Sequence, residues 1–220
     1  MPSKAFKTFE TKLVTEVERL IDTHGYLSDH HYNGRQGRRG LGHVTRSGIV
    51  MLCAGWERYI ELAIRETAAH LSERATSPKD LPTDVQKELA RYVKEHKNEL
   101  RALDLAGDGW EAMYSVVVEQ QTGSLNTPKS TKINLLCKRL LGVSQLSDCW
   151  SAGVTNVDDF VTTRGGIAHT GSDATYVTIV NLRSSHELIC EVVRETDNGL
   201  TEFVKAHFPS HNVPWRRKIQ

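Results

Sequence analysis

The stretch IVMLCAGWERYIELAI at residues 49–64 decides the fold that this sequence predicts. Its apolar residues recur at steps of three and four, which places them along one face of an α-helix. The pattern extends on both sides, so a helix is predicted from Val44 or Thr45 to about Ser72. The residues of this apolar stripe are Ile49, Leu52, Cys53, Trp56, Ile60, Ala63 and Ile64.

Helical patterns also occur on both sides of this segment. An apolar stripe over residues 6–21 predicts an N-terminal helix that ends near Gly25. Thr83 and Gln86 have the spacing of a capping box, which predicts the start of a short helix. Ser130 or Thr131 is expected to cap another helix that ends before Gly142. Further helices are predicted around residues 110–118, from residue 156, and over residues 184–207, capped by Ser184 or Ser185.

These patterns together predict one all-α domain that spans residues 1–220, a helical bundle with extra loops. Residues 175–180 alternate in a way that fits one short strand, and a helix also fits them. The chain has no internal repeat, no low-complexity tract and no clear linker. A chain of 220 residues is long enough to bury a hydrophobic core without disulfides or a metal.

Composition excludes several classes of protein. With 28 Lys and Arg against 27 Asp and Glu, the net charge of +1 argues against a polycation that coats nucleic acid. Residues 1–10 contain no apolar stretch that would predict a secretory signal, and no apolar run in the sequence is long enough for a membrane span. Four widely spaced cysteines, Cys53, Cys137, Cys149 and Cys190, suit free thiols in a reducing compartment. A cytoplasmic protein with no membrane partner is therefore expected.

The segment HHYNGRQGRRGLGHVTR at residues 30–46 predicts a basic loop. It contains four glycines and four arginines, and no Asp or Glu occurs between His30 and Trp56. A flexible arginine loop without acidic residues can follow the phosphates of RNA, which makes Arg35, Arg38, Arg39 and Arg46 candidate RNA-binding residues. An exposed loop without a ligand fits the composition equally well. A second basic cluster, WRRK at residues 215–218, is expected to be a frayed tail.

The segment FVTTRGGIAHTG at residues 160–171 is the strongest candidate for a functional site. Phosphate-binding, nucleophile-elbow and zinc-protease motifs are absent from the sequence. Here Arg164 is followed after four residues by His169. The same spacing occurs four more times in the chain, so the spacing alone is not specific. The pair Arg164 and His169 differs from the other four because an apolar helix precedes it and small residues and glycines surround it, within residues 156–171.

This segment resembles the HEPN superfamily, whose motif is an arginine, four to six residues, and a histidine. The segment LCAGWERYIEL at residues 52–62 is similar to the second helix of the RiboL-PSP-HEPN branch. The resemblance implies a HEPN-like helical bundle and a metal-independent endoribonuclease of a prokaryotic conflict system, a toxin or a phage-defence effector. It also implies RNA as a partner, a possible antitoxin or defence-system partner, and no cofactor or metal.

The resemblance also implies roles for three residues. His169 would be the general acid and base, because imidazole titrates near neutral pH and can move protons to and from ribose and leaving oxygens. Arg164 would stabilise the negative charge of the transition state through its planar guanidinium. Glu57, an acidic residue on the second helix, would orient one of these two side chains by a hydrogen bond. An ordinary surface glutamate is the alternative for Glu57.

The spacing of Arg164 and His169 raises a geometric question. Five positions along an ideal helix turn through about 500°, so the two side chains would point roughly 140° apart. Either Gly165 and Gly166 break the helix, or two protomers share the site. The family resemblance implies the second arrangement, with both motifs facing one cleft of a homodimer.

Gly165 keeps a second function open. Most family members carry a polar residue, commonly Asn, after the arginine, and this chain has a glycine there. The alternative function is therefore a catalytically inactive HEPN module that binds RNA, a nucleotide or a partner protein.

Overall fold

The computed structural model describes residues 1–30, 38–171 and 177–218, in which α-helices dominate and no β-strand occurs. The all-α prediction is confirmed. The strand considered for residues 175–180 falls partly outside the described residues, and Ile179 and Val180 lie in a helix. The helices are α1 (Lys4–Thr8), α2 (Val14–His30), α3 (Gly42–Arg74), α4 (Thr83–Glu95), α5 (Gly109–Thr122), α6 (Ser130–Leu141), α7 (Val154–Thr170) and α8 (Ile179–His207).

Helix α3 is the central element of the fold and contacts α1, α2, α5, α6, α7 and α8. Its apolar stripe is buried as the spacing predicted, and Trp56 and Tyr59 are both 0% exposed. Both polar atoms are satisfied: Trp56 Nε1 donates to the carbonyl of Pro128 (3.1 Å), and the Tyr59 hydroxyl donates to the carbonyl of Val193 (3.1 Å). These two side chains therefore tie α3 to the start of α6 and to α8.

Two predicted helix ends are wrong. Helix α2 does not stop near Gly25 but continues to His30. Gly25 keeps a negative φ, and the contacts of α2 with α3 and α8 outweigh the cost of about 1 kcal/mol for a helical glycine. Helix α8 is not capped by Ser184 or Ser185. Thr178 and Asn181 form a capping box, in which the Thr178 hydroxyl accepts from the Asn181 N–H (3.3 Å).

The turn before α4 also differs from the prediction. Thr83 and Gln86 do not form a capping box, because Pro82 is the N-cap residue. Gln86 Nε2 instead donates to the carbonyl of Leu81 (2.7 Å). Gly142 ends α6 as predicted: its φ is +82°, and a Cβ at this position would lie 2.3 Å from Pro82 Cβ. Both the backbone conformation and the contact require glycine there.

The basic segment 215–218 is not a frayed tail. Trp215 is buried, and its Nε1 donates to the carbonyl of Asp197 on α8 (3.0 Å). The hydroxyl of Thr201 donates to the Trp215 carbonyl (2.8 Å), and the Lys218 N–H donates to Asn198 Oδ1 (2.9 Å). The charged residues beside Trp215 make this segment look like an exposed tail in the sequence. The apolar ring of Trp215 anchors it against α8.

A buried carboxylate joins the N-terminal segment to α8. Asp197 accepts hydrogen bonds from the N–H of Ser3 (3.4 Å) and from the Ser3 hydroxyl. Burial raises the pKa of Asp197 to about 6, although both bonds from Ser3 lower it. The folded state thus binds this proton more tightly than the unfolded chain does. The contribution of Asp197 to stability therefore decreases as the pH rises from about 4 towards neutrality.

Candidate functional site

Helix α7 runs without a break through both glycines of the candidate motif. The predicted local break at Gly165 and Gly166 is wrong, because both residues keep negative φ values and the helix continues to Thr170. The hydroxyl of Thr170 donates to the Gly166 carbonyl (2.8 Å). The apolar residues that hold the helix in place are buried on both sides of the glycines: Val157, Phe160, Val161 and Ile167.

Arg164 and His169 therefore lie on different faces of one continuous helix. Five positions separate their directions by roughly 140° on an ideal helix. Arg164 is half-buried, whereas His169 is exposed and makes no hydrogen bond or ion pair with any described residue. The structure of a single chain does not bring the two side chains to one point.

Helix α7, which carries Arg164, packs against α3, which carries Glu57. The Glu57 side chain is half-buried, and burial raises the pKa of its carboxyl group. The guanidinium of Arg164 acts in the opposite direction and lowers this pKa. The two groups form no ion pair within 4.0 Å, so Arg164 acts on the pKa of Glu57 through space.

Cys53 lies one turn before Glu57 on α3, and its thiol is affected by the same arginine. Burial raises the pKa of the Cys53 thiol to about 11, while Arg164 lowers it and Glu57 raises it. Arg164 is therefore located beside the Cys53–Glu57 edge of α3. Glu61, which also raises the pKa of Glu57, is held by Arg58 (2.7 Å). Glu57, unlike Glu61, has no ion-pair partner within 4.0 Å among the described residues and interacts with the motif arginine through space.

Sequence reasoning missed a second cation at this place. Lys132, in the first turn of α6, also lowers the pKa of Glu57. Glu57, Arg164 and Lys132 come from three helices that meet at the N-terminal end of α6. No motif or spacing pointed to Lys132, because its proximity to Glu57 arises only from the packing of α3 against α6.

The described residues of the basic segment 30–46 do not form a loop. Arg35 lies outside the described residues, and Arg38 and Arg39 belong to a short 3₁₀ turn, Arg38–Leu41. Helix α3 begins at Gly42, so Arg46 is helical, and its placement in a loop is wrong. A Cβ at Gly42 would lie 2.8 Å from Nη1 of Arg46, which shows that this guanidinium folds back over the start of α3. Glycine leaves room for that contact.

No group of three His, Cys, Asp or Glu side chains among residues 1–30, 38–171 and 177–218 is arranged to hold a metal ion. None of the helices there has the length and hydropathy that crossing a bilayer requires.

Comparison with known families agrees with this fold and with the second-helix segment. The profile of the RiboL-PSP-HEPN family matches residues 16–202. The chain belongs to the RiboL-PSP-HEPN family. The match extends from α2 into the last turns of α8 and includes α3 and α7. No curated protein and no solved structure gives a significant match to this RiboL-PSP-HEPN chain.

Proposed function

We propose that this RiboL-PSP-HEPN protein is a metal-independent endoribonuclease that cleaves RNA through the ribose 2′-hydroxyl. The observation that carries the proposal is the position of Arg164, which is half-buried on α7 and lowers the pKa of Glu57 on the neighbouring α3. Glu57 orients the guanidinium, Arg164 stabilises the charged transition state, and His169 transfers protons. The protein would act in the cytoplasm as a toxin or phage-defence effector, with an antitoxin or defence-system partner.

The active site is completed by a second copy of the chain. Because α7 is continuous, Arg164 and His169 of one protomer point to different sides. Two copies that place their α7 helices along one cleft bring the arginine of one protomer to the histidine of the other. Arg35, Arg38, Arg39 and Arg46 are proposed to guide the RNA strand towards this cleft by contacting its phosphates.

The test is a cleavage assay in EDTA with the purified full-length chain. An RNA oligonucleotide is expected to be cut, and the same oligonucleotide with a 2′-deoxy sugar at the cut position is expected to resist cleavage there. The resistance follows because the 2′-hydroxyl is the nucleophile of the proposed reaction. Cleavage of both oligonucleotides at equal rates, or cleavage that EDTA abolishes, would contradict the mechanism.

Gly165 favours a second candidate function, a HEPN module that binds RNA, a nucleotide or a partner protein without catalysis. A Cβ built at Gly165 meets no described atom within 4 Å, so crowding is not the reason for the glycine. Because glycine has no side chain, residue 165 cannot form a side-chain hydrogen bond to a substrate. RNA binding without cleavage in the same assay would favour this function over the endoribonuclease.

The surface next to Glu57 suits a protomer contact. Val50 is 36% exposed and Met51 39% exposed. Val50 and Ala54 follow the same helical stripe as Cys53 and Glu57, so apolar surface adjoins the candidate site. Exposed apolar side chains beside a functional site are typical of an interaction surface. We therefore propose that the homodimer contact includes this part of α3.

A charge in this surface is expected to separate the protomers. Val50→Glu should convert a dimer into a monomer at micromolar concentration and lower RNA cleavage at least about tenfold, because a buried unpaired carboxylate opposes association. Light scattering after size-exclusion chromatography measures the mass. Val116→Glu is the matched control, because Val116 is 37% exposed and lies on α5. A Val50→Glu protein that stays dimeric and active would contradict this contact.

A further inference from the structure

A wide cleft of about 1000 Å³ opens beside the second half of α3. Three parts of the chain line it: α3 between Leu62 and Glu73, residues 1–8, which include α1, and the segment 212–216 after α8. Ala69, in the α3 part of the lining, lies about 18 Å beyond Glu57 along the helix axis. The cleft is therefore separate from the candidate site.

Hydrogen bonds within the chain fix the walls of this cleft. Both carboxylate oxygens of Glu66 on α3 accept backbone N–H bonds from the start of α1, one from Lys4 (2.9 Å) and one from Ala5 (2.8 Å). The N–H of Arg216 donates to the Met1 carbonyl (2.9 Å), which joins the two terminal segments to each other. The cleft is thus formed in the free chain, and a partner does not have to order its walls.

Cationic side chains outnumber carboxylates around the cleft. The lining contains the cations Lys4, Lys7, Arg65 and Arg216 and the carboxylates Glu66 and Glu73. Glu66 is engaged by the two N–H groups of α1, and Glu73 contacts the imidazole of His70 (3.1 Å). Arg65 lies 4.0 Å from Glu61. The other three cations form no ion pair with any residue among 1–30, 38–171 and 177–218.

The carboxylates of the neighbouring segments do not balance these cations. Asp197 is 0% exposed and accepts hydrogen bonds from Ser3. Three other acids have ion pairs of their own, Glu10 with Lys218, Glu61 with Arg58 and Glu202 with Arg217. The surplus positive charge of the cleft therefore favours an anionic occupant.

Most of the surface between these charges is apolar. Leu62, Ala69 and Val213 contribute to it, and Val213 is 47% exposed. The aromatic rings of the lining, His70 and Trp215, pack against each other with centroids 5.6 Å apart, and Trp215 is 6% exposed. RNA bases bind on open aromatic faces, which this pair does not offer. The lining suits a peptide with apolar and acidic side chains better than an RNA strand.

We propose that this cleft docks an acidic peptide segment of a partner protein. Apolar side chains of the segment cover Ala69 and Val213, and its carboxylates pair with Lys4, Lys7 and Arg216. A volume of about 1000 Å³ is at the upper end of the range for small-molecule pockets, so it accommodates several residues of a peptide. The inference goes beyond the proposed endoribonuclease function and does not depend on it.

The experiment selects ligands for the full-length chain from a phage-displayed library of random short peptides. The selected peptides are expected to be enriched in Asp and Glu together with Leu, Ile or Phe. A labelled synthetic copy of one of them gives Kd by fluorescence polarisation. Binding should weaken as the NaCl concentration rises, because exposed charge pairs are screened by salt. Selection of peptides without acidic residues would contradict the proposal.

Two pairs of variants test whether the peptide occupies this cleft. Lys4→Glu combined with Lys7→Glu is expected to raise Kd at least about tenfold, because two attractive contacts become repulsive. Lys12→Glu is the matched control, since Lys12 is exposed on the same N-terminal segment but does not line the cleft, and it should change Kd less than about twofold. Arg216→Ala should raise Kd about three- to fivefold, and Arg217→Ala, outside the lining, should not.

The same variants identify the other possible occupants. Equal Kd values for the doubly reversed chain and the Lys12→Glu chain would overturn the proposal, because the peptide would then bind elsewhere. Displacement of the peptide by a single-stranded RNA whose binding the double reversal also weakens would make RNA the occupant. Loss of a dimer on double reversal, measured by light scattering, would show that a second copy covers the cleft. None of these readouts uses RNA cleavage, so failure of the endoribonuclease function would leave this inference standing.

Discussion

Replacing His169 with alanine is expected to lower the rate of RNA cleavage by about 10²- to 10⁴-fold, the contribution of a positioned general acid or base. Arg164→Ala is expected to lower it by about 10²- to 10³-fold, because a charge-assisted contact to the transition state is lost. Initial rates with a labelled RNA in EDTA, at several RNA concentrations, give kcat and kcat/KM for each variant. Both losses should occur mainly in kcat, because the proposed contacts strengthen in the transition state.

A control variant tests whether cleavage needs the histidine of this motif or any histidine at the same spacing from an arginine. His96 follows Arg91 at the same distance and is exposed like His169, but it lies just beyond the end of α4. His96→Ala is expected to change the rate less than about twofold, as a surface substitution away from the site does. Full activity after both Arg164→Ala and His169→Ala would show that this motif is not the active site.

The features that sequence could predict are those that depend on local periodicity. The stripe through α3 repeats over many turns, so the helix and the burial of Trp56 follow from spacing alone. Gly142 was predictable for a similar reason, since a glycine directly after an apolar helical run is typical of a left-handed C-terminal residue. These signals need no knowledge of which helices are neighbours.

The remaining features depend on tertiary contacts. Gly165 and Gly166 would weaken an isolated helix by about 1 kcal/mol each, but packing of Val161 and Ile167 on either side keeps α7 intact. Trp56 on α3 and Asp158 on α7 bind Pro128 and Ser130 and so fix the start of α6. Sequence spacing contains neither contact, so the sequence could name candidate residues but not the side chains that surround them.

The continuity of α7 makes the composite site testable with two inactive proteins. An Arg164→Ala chain keeps its histidine, and a His169→Ala chain keeps its arginine. When the two form a mixed dimer, one of its two sites combines the intact arginine of one protomer with the intact histidine of the other. If subunits mix at random, about half of the dimers are mixed, and roughly one quarter of all sites is functional.

RNA cleavage by the mixture is therefore expected to recover to about a quarter of the rate of the unmodified chain, at least tenfold above either variant alone. The measurement requires unfolding and refolding the two variants together, or producing them together with different affinity tags and isolating the mixed dimer. Adding Val50→Glu to both chains is the control, since protomers that do not associate cannot share a site. A mixed dimer as inactive as its parents would contradict pairing between protomers. Because α7 is continuous, Arg164 and His169 lie on different faces of one helix, and the proposed pairing between protomers therefore predicts recovery.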